Sequence, residues 1–194
     1  MLREDTNGDY IGSFAFEGRR CEYRVRGYGK PVLITASISP RHGSYAWRYI
    51  FECLAGTSFV YSLDIESMMK SGETRDHAYH SNLIEYFLRE VIGVRTAILA
   101  GDREYAAVTA AVIEARALVD KVVFLCPDRA GRFRLRIAIV AGKGTEKEVA
   151  PALDRLHRIS AGTSVCTRSR TRTGAIPGSK SPARICEDIM RLLT

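Results

Sequence analysis

Three short runs of mainly apolar residues, at 32–36, 122–125 and 135–140, the last interrupted by Arg136, constrain the fold of this chain more than any other feature. A strand that is solvated on one face alternates apolar and polar residues, whereas these runs place apolar side chains on both faces. Other elements must therefore cover both faces of the sheet that contains them. The pattern is typical of a parallel sheet, in which crossover helices provide that cover.

Segments with helical spacing lie between the strands. The clearest is 45–54, where apolar residues recur at Trp47, Ile50, Phe51 and Leu54. Further helices are predicted at 82–92, 104–118, 147–157 and 185–193, and further strands at 59–63 and 97–100. Because strand and helix alternate, the sequence predicts an α/β fold: a three-layer sandwich with a mostly parallel central sheet and helices on both faces.

The amino-terminal part of the chain has a different pattern. Residues 11–16 and 21–26 alternate apolar and polar side chains on either side of Glu17 and Gly18, which predicts a half-buried antiparallel hairpin. The length of 194 residues and the 46% content of hydrophobic residues suit one domain with a substantial core. We therefore expect a single domain over residues 1–194.

Positive charge is concentrated in one polar segment. The chain has 29 Lys and Arg residues against 22 Asp and Glu residues, a formal net charge of +7. Residues 160–184 are predicted to form a long basic loop, with one short strand at 164–166. Arg168, Arg170 and Arg172 alternate with Ser and Thr, so an extended backbone would direct all three to one side. Such a stripe suits a phosphate or an acidic protein, and nucleic acid is an alternative partner although no stacking aromatics are interleaved.

Neither a metal site nor a disulfide framework is indicated. The five cysteines are odd in number, widely spaced and free of any CxxC pair, so we predict no metal and no cofactor. His77 and His80 have a spacing that allows joint coordination, but no acidic or cysteine companion is clearly placed beside them, and a solvated surface pair is the preferred interpretation. Residues 1–10 are polar and acidic and no apolar run could span a bilayer, so a cytoplasmic protein is expected.

Several segments, taken in order, resemble landmarks of the α/β-hydrolase fold. Residues 23–34, which include Gly27-Tyr28-Gly29-Lys30-Pro31, resemble the passage from a hairpin into the first central strand. Residues 62–65 resemble the end of the following strand, 93–101 the run into the nucleophile elbow, and 119–125 the strand after the elbow helix. The resemblance spans nearly the whole chain and implies the same three-layer fold.

The elbow itself departs from the family pattern. In these hydrolases a tight strand-to-helix turn presents the nucleophile, and small residues must flank it. Here the turn reads Gly101-Asp102-Arg103-Glu104-Tyr105. Aligned on the glycine, Arg103 takes the nucleophile position and Tyr105 a position that normally requires glycine. Because a guanidinium group stays protonated, Arg103 cannot act as an acyl-transfer nucleophile.

The acid and the histidine that the family pairs with its nucleophile also lack counterparts. The acid normally follows the strand that resembles 137–140, but residues 141–145 contain no carboxylate. The glycine-histidine step near the last helix resembles residues 173–177, and no histidine follows His157. The resemblance therefore implies the fold without the catalytic triad.

Two further family features are changed. The His-Gly step beside the oxyanion hole is replaced by Thr35 and Ala36, and only residues 126–134 stand where family members commonly insert a cap domain. A site without a cap would be open to solvent. We therefore expect the cap domain to be absent.

Together these features predict a non-catalytic protein of this fold, a pseudoenzyme that acts as a subunit or adaptor in a protein complex. Arg103 and the stripe of Arg168, Arg170 and Arg172 are the predicted contacts for the partner or an anion. One alternative is a diverged hydrolase that acts on a small ester or related substrate through relocated groups, with Asp102 as nucleophile; helix capping is the simpler role for Asp102. A sensor of a small ligand is the other alternative.

Overall fold

The computed structural model describes residues 2–36, 38, 45–65, 77–101, 105–127, 133–139, 173–179 and 182–193. In these residues one sheet of nine strands has the order β1-β2-β3-β5-β4-β6-β7-β8-β9. The strands are β1 (Arg3–Glu4), β2 (Tyr10–Phe16), β3 (Arg19–Gly27), β4 (Lys30–Ile34), β5 (Ser58–Leu63), β6 (Thr96–Gly101), β7 (Val119–Pro127), β8 (Phe133–Ile139) and β9 (Thr173–Ser179).

The centre of the sheet is parallel and its flanks are antiparallel. Strands β5, β4, β6 and β7 run side by side in one direction, whereas β1, β2 and β3 join one flank by antiparallel pairing and β8 and β9 join the other. All four parallel strands end at the same edge of the sheet, which we call the carboxyl edge. Ligands of open α/β sheets bind at such an edge.

Helices cover both faces of the sheet. They are α1 (Tyr45–Ala55), α2 (His77–Tyr86), α3 (Tyr105–Glu114) and α4 (Pro182–Leu193), with a π-helical turn at Phe87–Ile92 and a 3-10 turn at Arg116–Leu118. Gly93 ends the π-helical turn in the left-handed region, at φ 69°, and its N–H donates to the Leu88 carbonyl over 2.9 Å. Among the helices that the structure describes, none has both the length and the apolar character needed to cross a membrane.

Two hydrophobic cores lie on opposite faces of the sheet. In β6, Ile98 packs into the core beneath α2 and α3, whereas its neighbour Leu99 packs into the core beneath α1 and α4. In β7, Phe124 and Val123 divide between the same two cores. Because successive side chains of a strand point to opposite faces, a strand covered on both faces must be apolar at every position. The predicted three-layer α/β sandwich is therefore confirmed.

The amino-terminal hairpin is also confirmed. Phe16 pairs with Arg19 across a two-residue turn. Glu17 has φ 47° and Gly18 has φ 72°, so both lie in the left-handed region that a type I′ hairpin turn requires. The turn twists in the same sense as the strands, which explains the regular pairing of β2 with β3.

The parallel part of the sheet ends at β7. The strand predicted at 135–140 is β8, and it pairs antiparallel with β7, with Phe133 opposite Pro127 and Ile139 opposite Lys121. Only residues 128–132 separate the two strands. Parallel neighbours need a crossover of a dozen residues or more, so a connection this short forces a hairpin.

Part of the predicted basic loop at 160–184 is a strand. Thr173–Ser179 forms β9 on β8, at the edge of the sheet. The composition of β9 does not predict a strand, because glycine and proline have low strand propensity. The register shifts between Phe133 and Leu135, where Pro177 and Gly178 lie opposite, and proline is tolerated at such an edge-strand irregularity. The predicted helix at 147–157 and strand at 164–166 lie outside the described residues.

Candidate functional site

The carboxyl edge carries the strand, connection and helix that a nucleophile elbow requires. Gly101 is the buried last residue of β6 and pairs with Leu125 of β7. Tyr105 is the first residue of α3, so only residues 102–104 connect strand to helix. The context is the one in which such motifs occur in hydrolases. Asp102, Arg103 and Glu104 themselves lie outside the described residues.

Thr35 follows the last residue of β4 at the same edge. Its backbone N–H donates to the Leu99 carbonyl over 3.1 Å, which extends the contact between β4 and β6 beyond the end of the strand. The residue is 1% exposed, and its Oγ1 has no hydrogen-bond partner among the described residues. An unpaired buried hydroxyl costs about 1–3 kcal/mol, so it is either a source of instability or a group for a ligand to satisfy.

Ser62 is the second hydroxyl group described near this edge. It lies on β5, is buried, and its Oγ donates to the Ala36 carbonyl over 3.4 Å. A serine nucleophile instead donates its proton to a general base, which must lie within hydrogen-bond reach. The Ser62 hydroxyl is thus engaged in joining β5 to the end of β4 rather than in a catalytic pair.

His80 corrects the prediction of a solvated histidine pair. It lies in the first turn of α2, is only 8% exposed, and its ring lies 6.1 Å from that of Tyr79. The helix begins before the predicted residue 82, and His80 shares a face with Leu83 and Ile84, both fully buried. Extending the apolar spacing back by one turn would have found it. The side chain of His77 lies outside the described residues.

The positions that the resemblance assigns to the acid and the histidine do not follow the expected strands. Because β8 is antiparallel to β7, it ends at Ile139 on the edge opposite Gly101. Residues 173–177, compared with the histidine step, are part of β9, and the end of β9 that reaches the carboxyl edge is Ser179, opposite Phe133. The resemblance is therefore weakest in the last third of the chain.

The structure does not test the other predicted binding residues. Arg168, Arg170 and Arg172 lie outside the described residues, as does the side chain of Tyr105. Among the described residues, no group of three or more His, Cys, Asp or Glu side chains could hold a metal ion.

A cluster that sequence reasoning missed surrounds Asp9, which is fully buried. Its carboxylate lies 2.5 Å from Arg48 Nη1 of α1, 3.6 Å from Arg24 Nη1 and 3.5 Å from Arg26 Nη1 of β3. A buried charge is tolerated when it is paired in this way. The sequence carries no signal for it, because aspartate before a strand is also typical of an exposed turn.

Asp5 completes this cluster. Its Oδ1 accepts hydrogen bonds from the backbone N–H groups of Asn7, over 2.8 Å, and Asp9, over 3.0 Å, and its Oδ2 accepts one from Arg24. Burial alone would raise the pKa of Asp5, but these hydrogen bonds and the positive charge of Arg24 outweigh it and lower the pKa below its usual 3.8. The cluster thus holds the amino-terminal turn against β3 and α1.

A solvent-open groove of about 680 Å³ lies on the β2–β3 hairpin. Its charged lining residues are Arg3, Arg19, Arg20 and Glu22. The excess of arginine makes the groove positive.

Comparison with solved structures identifies the fold. An alpha/beta hydrolase fold protein from Burkholderia ambifaria superposes with a TM-score of 0.50 at 22% sequence identity, covering 62% of this chain and 46% of that one. Cfl2 from Burkholderia cenocepacia gives 0.51 at 19% identity, covering 64% and 44%. The epoxide hydrolase CorEH gives 0.48 at 20% identity, covering 59% and 41%.

The similarities to the two Burkholderia structures show that the chain has the α/β-hydrolase fold. The chain matches less than half of the length of each of these three structures. No protein-family model and no curated protein matches it.

Proposed function

We propose that this α/β-hydrolase-fold chain is a non-catalytic protein that acts as a subunit or adaptor in a protein complex. One observation supports the proposal: by sequence, Arg103 aligns with the nucleophile position of the fold, in the connection between the buried Gly101 that ends β6 and Tyr105 that begins α3. Arginine stays protonated and offers no lone pair for attack on an electrophilic carbon. Tyr105, in a position that requires a small residue, adds to this argument because it would crowd a tight turn.

The hydroxyl groups described at the carboxyl edge support the same proposal. Ser62 donates to a backbone carbonyl, and the Thr35 hydroxyl has no partner among the described residues. A nucleophilic hydroxyl needs a base within hydrogen-bond reach. Among the described residues, therefore, neither hydroxyl group has the base that it would need to substitute for the nucleophile that Arg103 cannot supply.

The short connection between β7 and β8 favours a site without a cap. Residues 128–132 link the two strands as a hairpin, which leaves no room there for an inserted domain. Without a cap the carboxyl edge would be poorly shielded from water, which weakens an enzyme site. An open edge remains accessible to a large partner such as another protein.

The charge distribution favours an acidic partner surface. Arg103 and the stripe of Arg168, Arg170 and Arg172 supply the proposed contacts, the net charge is +7, and the groove on the β2–β3 hairpin is also positive. Positive surface charge accelerates association with an anionic surface and makes it sensitive to salt. We place this complex in the cytoplasm.

The test is a native mass spectrum of the protein purified gently from its own cells without overproduction. The proposal predicts a stoichiometric assembly with a second protein, identified by its mass. A bare monomer, or an assembly of this chain alone, would contradict it. A small added mass would instead favour the ligand sensor.

Variants of the arginine stripe then test the contact. Replacing Arg168, Arg170 and Arg172 together with glutamine should remove the partner from the purified assembly, because the charged contacts are lost. The matched control replaces three arginines on the described surface, Arg95, Arg116 and Arg191, and removes the same total charge. Equal loss of the partner in both triple variants would show a general charge effect rather than a site.

The alternative of a diverged hydrolase rests on Asp102, which a shift of one residue would place at the nucleophile position. It predicts turnover of an ester, thioester, lactone or haloalkane substrate that Asp102→Ala abolishes and Glu104→Ala preserves. Absence of turnover with the whole panel would remove this alternative.

The ligand-sensor alternative is favoured by the unpaired hydroxyl of Thr35 at the carboxyl edge. A ligand that bound there and satisfied this hydroxyl would raise the melting temperature of the wild-type protein, because a ligand that binds the folded state stabilises it. The rise should shrink in Thr35→Val. A thermal-shift screen of small, largely apolar molecules that carry one hydrogen-bonding group tests this alternative.

A further inference from the structure

Helices α1 and α4 pack against each other on one face of the sheet, although about 130 residues separate them along the chain. Cys53 of α1 and Cys186 of α4 belong to the same hydrophobic core cluster. Cys53 packs against the cluster that contains the buried Cys186, and the two side chains interact across the contact between the helices. No other pair of free cysteines in the described part of the chain shares a core cluster, because Cys21 lies in the core on the opposite face.

The two thiols differ in accessibility. Cys53 is only partly buried, whereas Cys186 is 1% exposed. Burial raises the pKa of the Cys186 thiol well above its usual value, and the hydrogen bond to Cys53 raises it further. Cys186 is therefore an unreactive thiol until its neighbour is modified, and an oxidant from solution meets Cys53 first.

We propose that Cys53 and Cys186 are an oxidative modification site, at which hydrogen peroxide oxidises the two thiols and links α1 to α4 by a disulfide bond. The Cys53 thiolate attacks one peroxide oxygen, the O–O bond breaks, and Cys53 becomes a sulfenic acid while the peroxide is reduced and, with a proton, leaves as water. The Cys186 sulfur then attacks the sulfenic sulfur, its proton leaves with the hydroxyl group as a second water, and the S–S bond forms. Two thiols are oxidised by two electrons, which the peroxide takes up.

The Cys53–Cys186 disulfide bond would link α4 covalently to α1. Such a link closes a long stretch of chain, and a disulfide restricts the unfolded state more when the loop that it closes is longer. In a reducing compartment a bond of this kind forms transiently, as a response to oxidant. This inference is independent of the proposed adaptor role.

Peptide mapping tests the proposal on the full chain. Trypsin places all five cysteines in separate peptides, with Cys53 in 49–70, Cys186 in 185–191 and Cys21 in 21–24. After treatment of the folded protein with hydrogen peroxide and alkylation, we expect peptides 49–70 and 185–191 to be joined, with a mass about two hydrogens below their sum. Cys21 should remain alkylated. Added dithiothreitol should restore both single peptides.

Variants test the order of the steps. Cys186→Ala should abolish the linked peptide and leave Cys53 as a sulfenic acid that dimedone traps, whereas Cys53→Ala should abolish both products. The matched control Cys21→Ala should leave the linkage intact. The wild-type map remains decisive even if a variant folds poorly: hydrogen peroxide that oxidises Cys53 without joining 49–70 to 185–191, or that joins Cys53 to another cysteine, overturns the proposal.

Discussion

Thr35 places a hydroxyl group in an otherwise apolar run, and that hydroxyl is buried without a hydrogen-bond partner among the residues that the structure describes. Valine has nearly the same shape, and the backbone N–H of residue 35 would still donate to Leu99. We expect Thr35→Val to raise the free energy of unfolding by about 1–2 kcal/mol, because the cost of the unpaired hydroxyl disappears. Urea unfolding of the two proteins without added ligand measures the difference. A loss of stability would show that the hydroxyl is satisfied in solution.

Glu17 is the one described residue other than glycine with a positive φ. The left-handed region is strained for a glutamate, and asparagine followed by glycine is the preferred pair for a type I′ turn. We expect Glu17→Asn to stabilise the protein by about 0.5–1 kcal/mol, measured as a higher urea midpoint. Gly18→Ala is the matched control and should destabilise, since alanine acquires the strain that glycine avoids.

At the scale of elements, the amino-terminal turn depends on charge as well as on strand pairing. The lowered pKa of Asp5 means that its carboxylate stabilises the folded state at every pH above the unfolded value of about 3.8. This contribution is lost as the pH falls through the lower pKa of the folded state. The turn, and with it the attachment of β1 and β2, should therefore weaken in acid.

Asp5→Asn tests this pH dependence. The variant should be less stable than the wild type at pH 7. The difference should shrink as the pH falls from about 3.8 through the lower pKa of the folded state, because the wild-type carboxylate is protonated first in the unfolded and then in the folded protein. Thermal unfolding across this range measures it. Glu4→Gln, at an exposed neighbouring position, should show no comparable difference. A gap between Asp5→Asn and wild type that stays constant down to pH 2 would contradict the assignment.

Some helices and strands could be predicted from the sequence, and others could not. The helix at Tyr45–Ala55 and the strand at Ser58–Leu63 match their predictions closely, because each carries its burial pattern in its own residues. Strand β9 could not be predicted, because its residues have poor strand propensity and their hydrogen-bond partners lie on β8. The direction of β8 follows from the short connection at 128–132, because parallel neighbours need a longer crossover.

In the whole molecule, one sheet separates two hydrophobic cores. Because both cores pack against the same strands, we expect neither core to form without the other. Ile98 and Leu99 are adjacent in β6, both fully buried, and face opposite cores. Ile98→Ala and Leu99→Ala should each lower the free energy of unfolding by about 2–5 kcal/mol, because each leaves a cavity. Val94→Ala, at a site that is 55% exposed, should change it by less than about 0.5 kcal/mol.

Urea unfolding of Ile98→Ala and Leu99→Ala also measures whether the two cores unfold cooperatively. Trp47, the single tryptophan, packs against the core beneath α1 and α4, and its fluorescence should follow that face, whereas circular dichroism follows all helices and strands. Both signals should change together in urea for Ile98→Ala as well as for Leu99→Ala. Two separate transitions would show that the faces unfold independently.

The candidate site was predictable only in outline. The order of strand, connection and helix around Gly101 and Tyr105 follows from local patterns, and the structure bears it out. The unpaired hydroxyl of Thr35, the engagement of Ser62 by Ala36 and the burial of His80 depend on neighbours from other elements. No spacing within one element reports such contacts.

The sequence by itself determined the secondary structure of the central elements, the burial of the sheet on both faces and the amino-terminal hairpin. These properties follow from side-chain periodicity and turn chemistry, which act over a few residues. The tertiary structure alone decided the position of β9, the enclosure of Asp9 by three arginines and the contact of Cys53 with Cys186. Each joins residues distant in the chain, and such contacts exist only once packing and charge pairing have selected one arrangement of the whole chain.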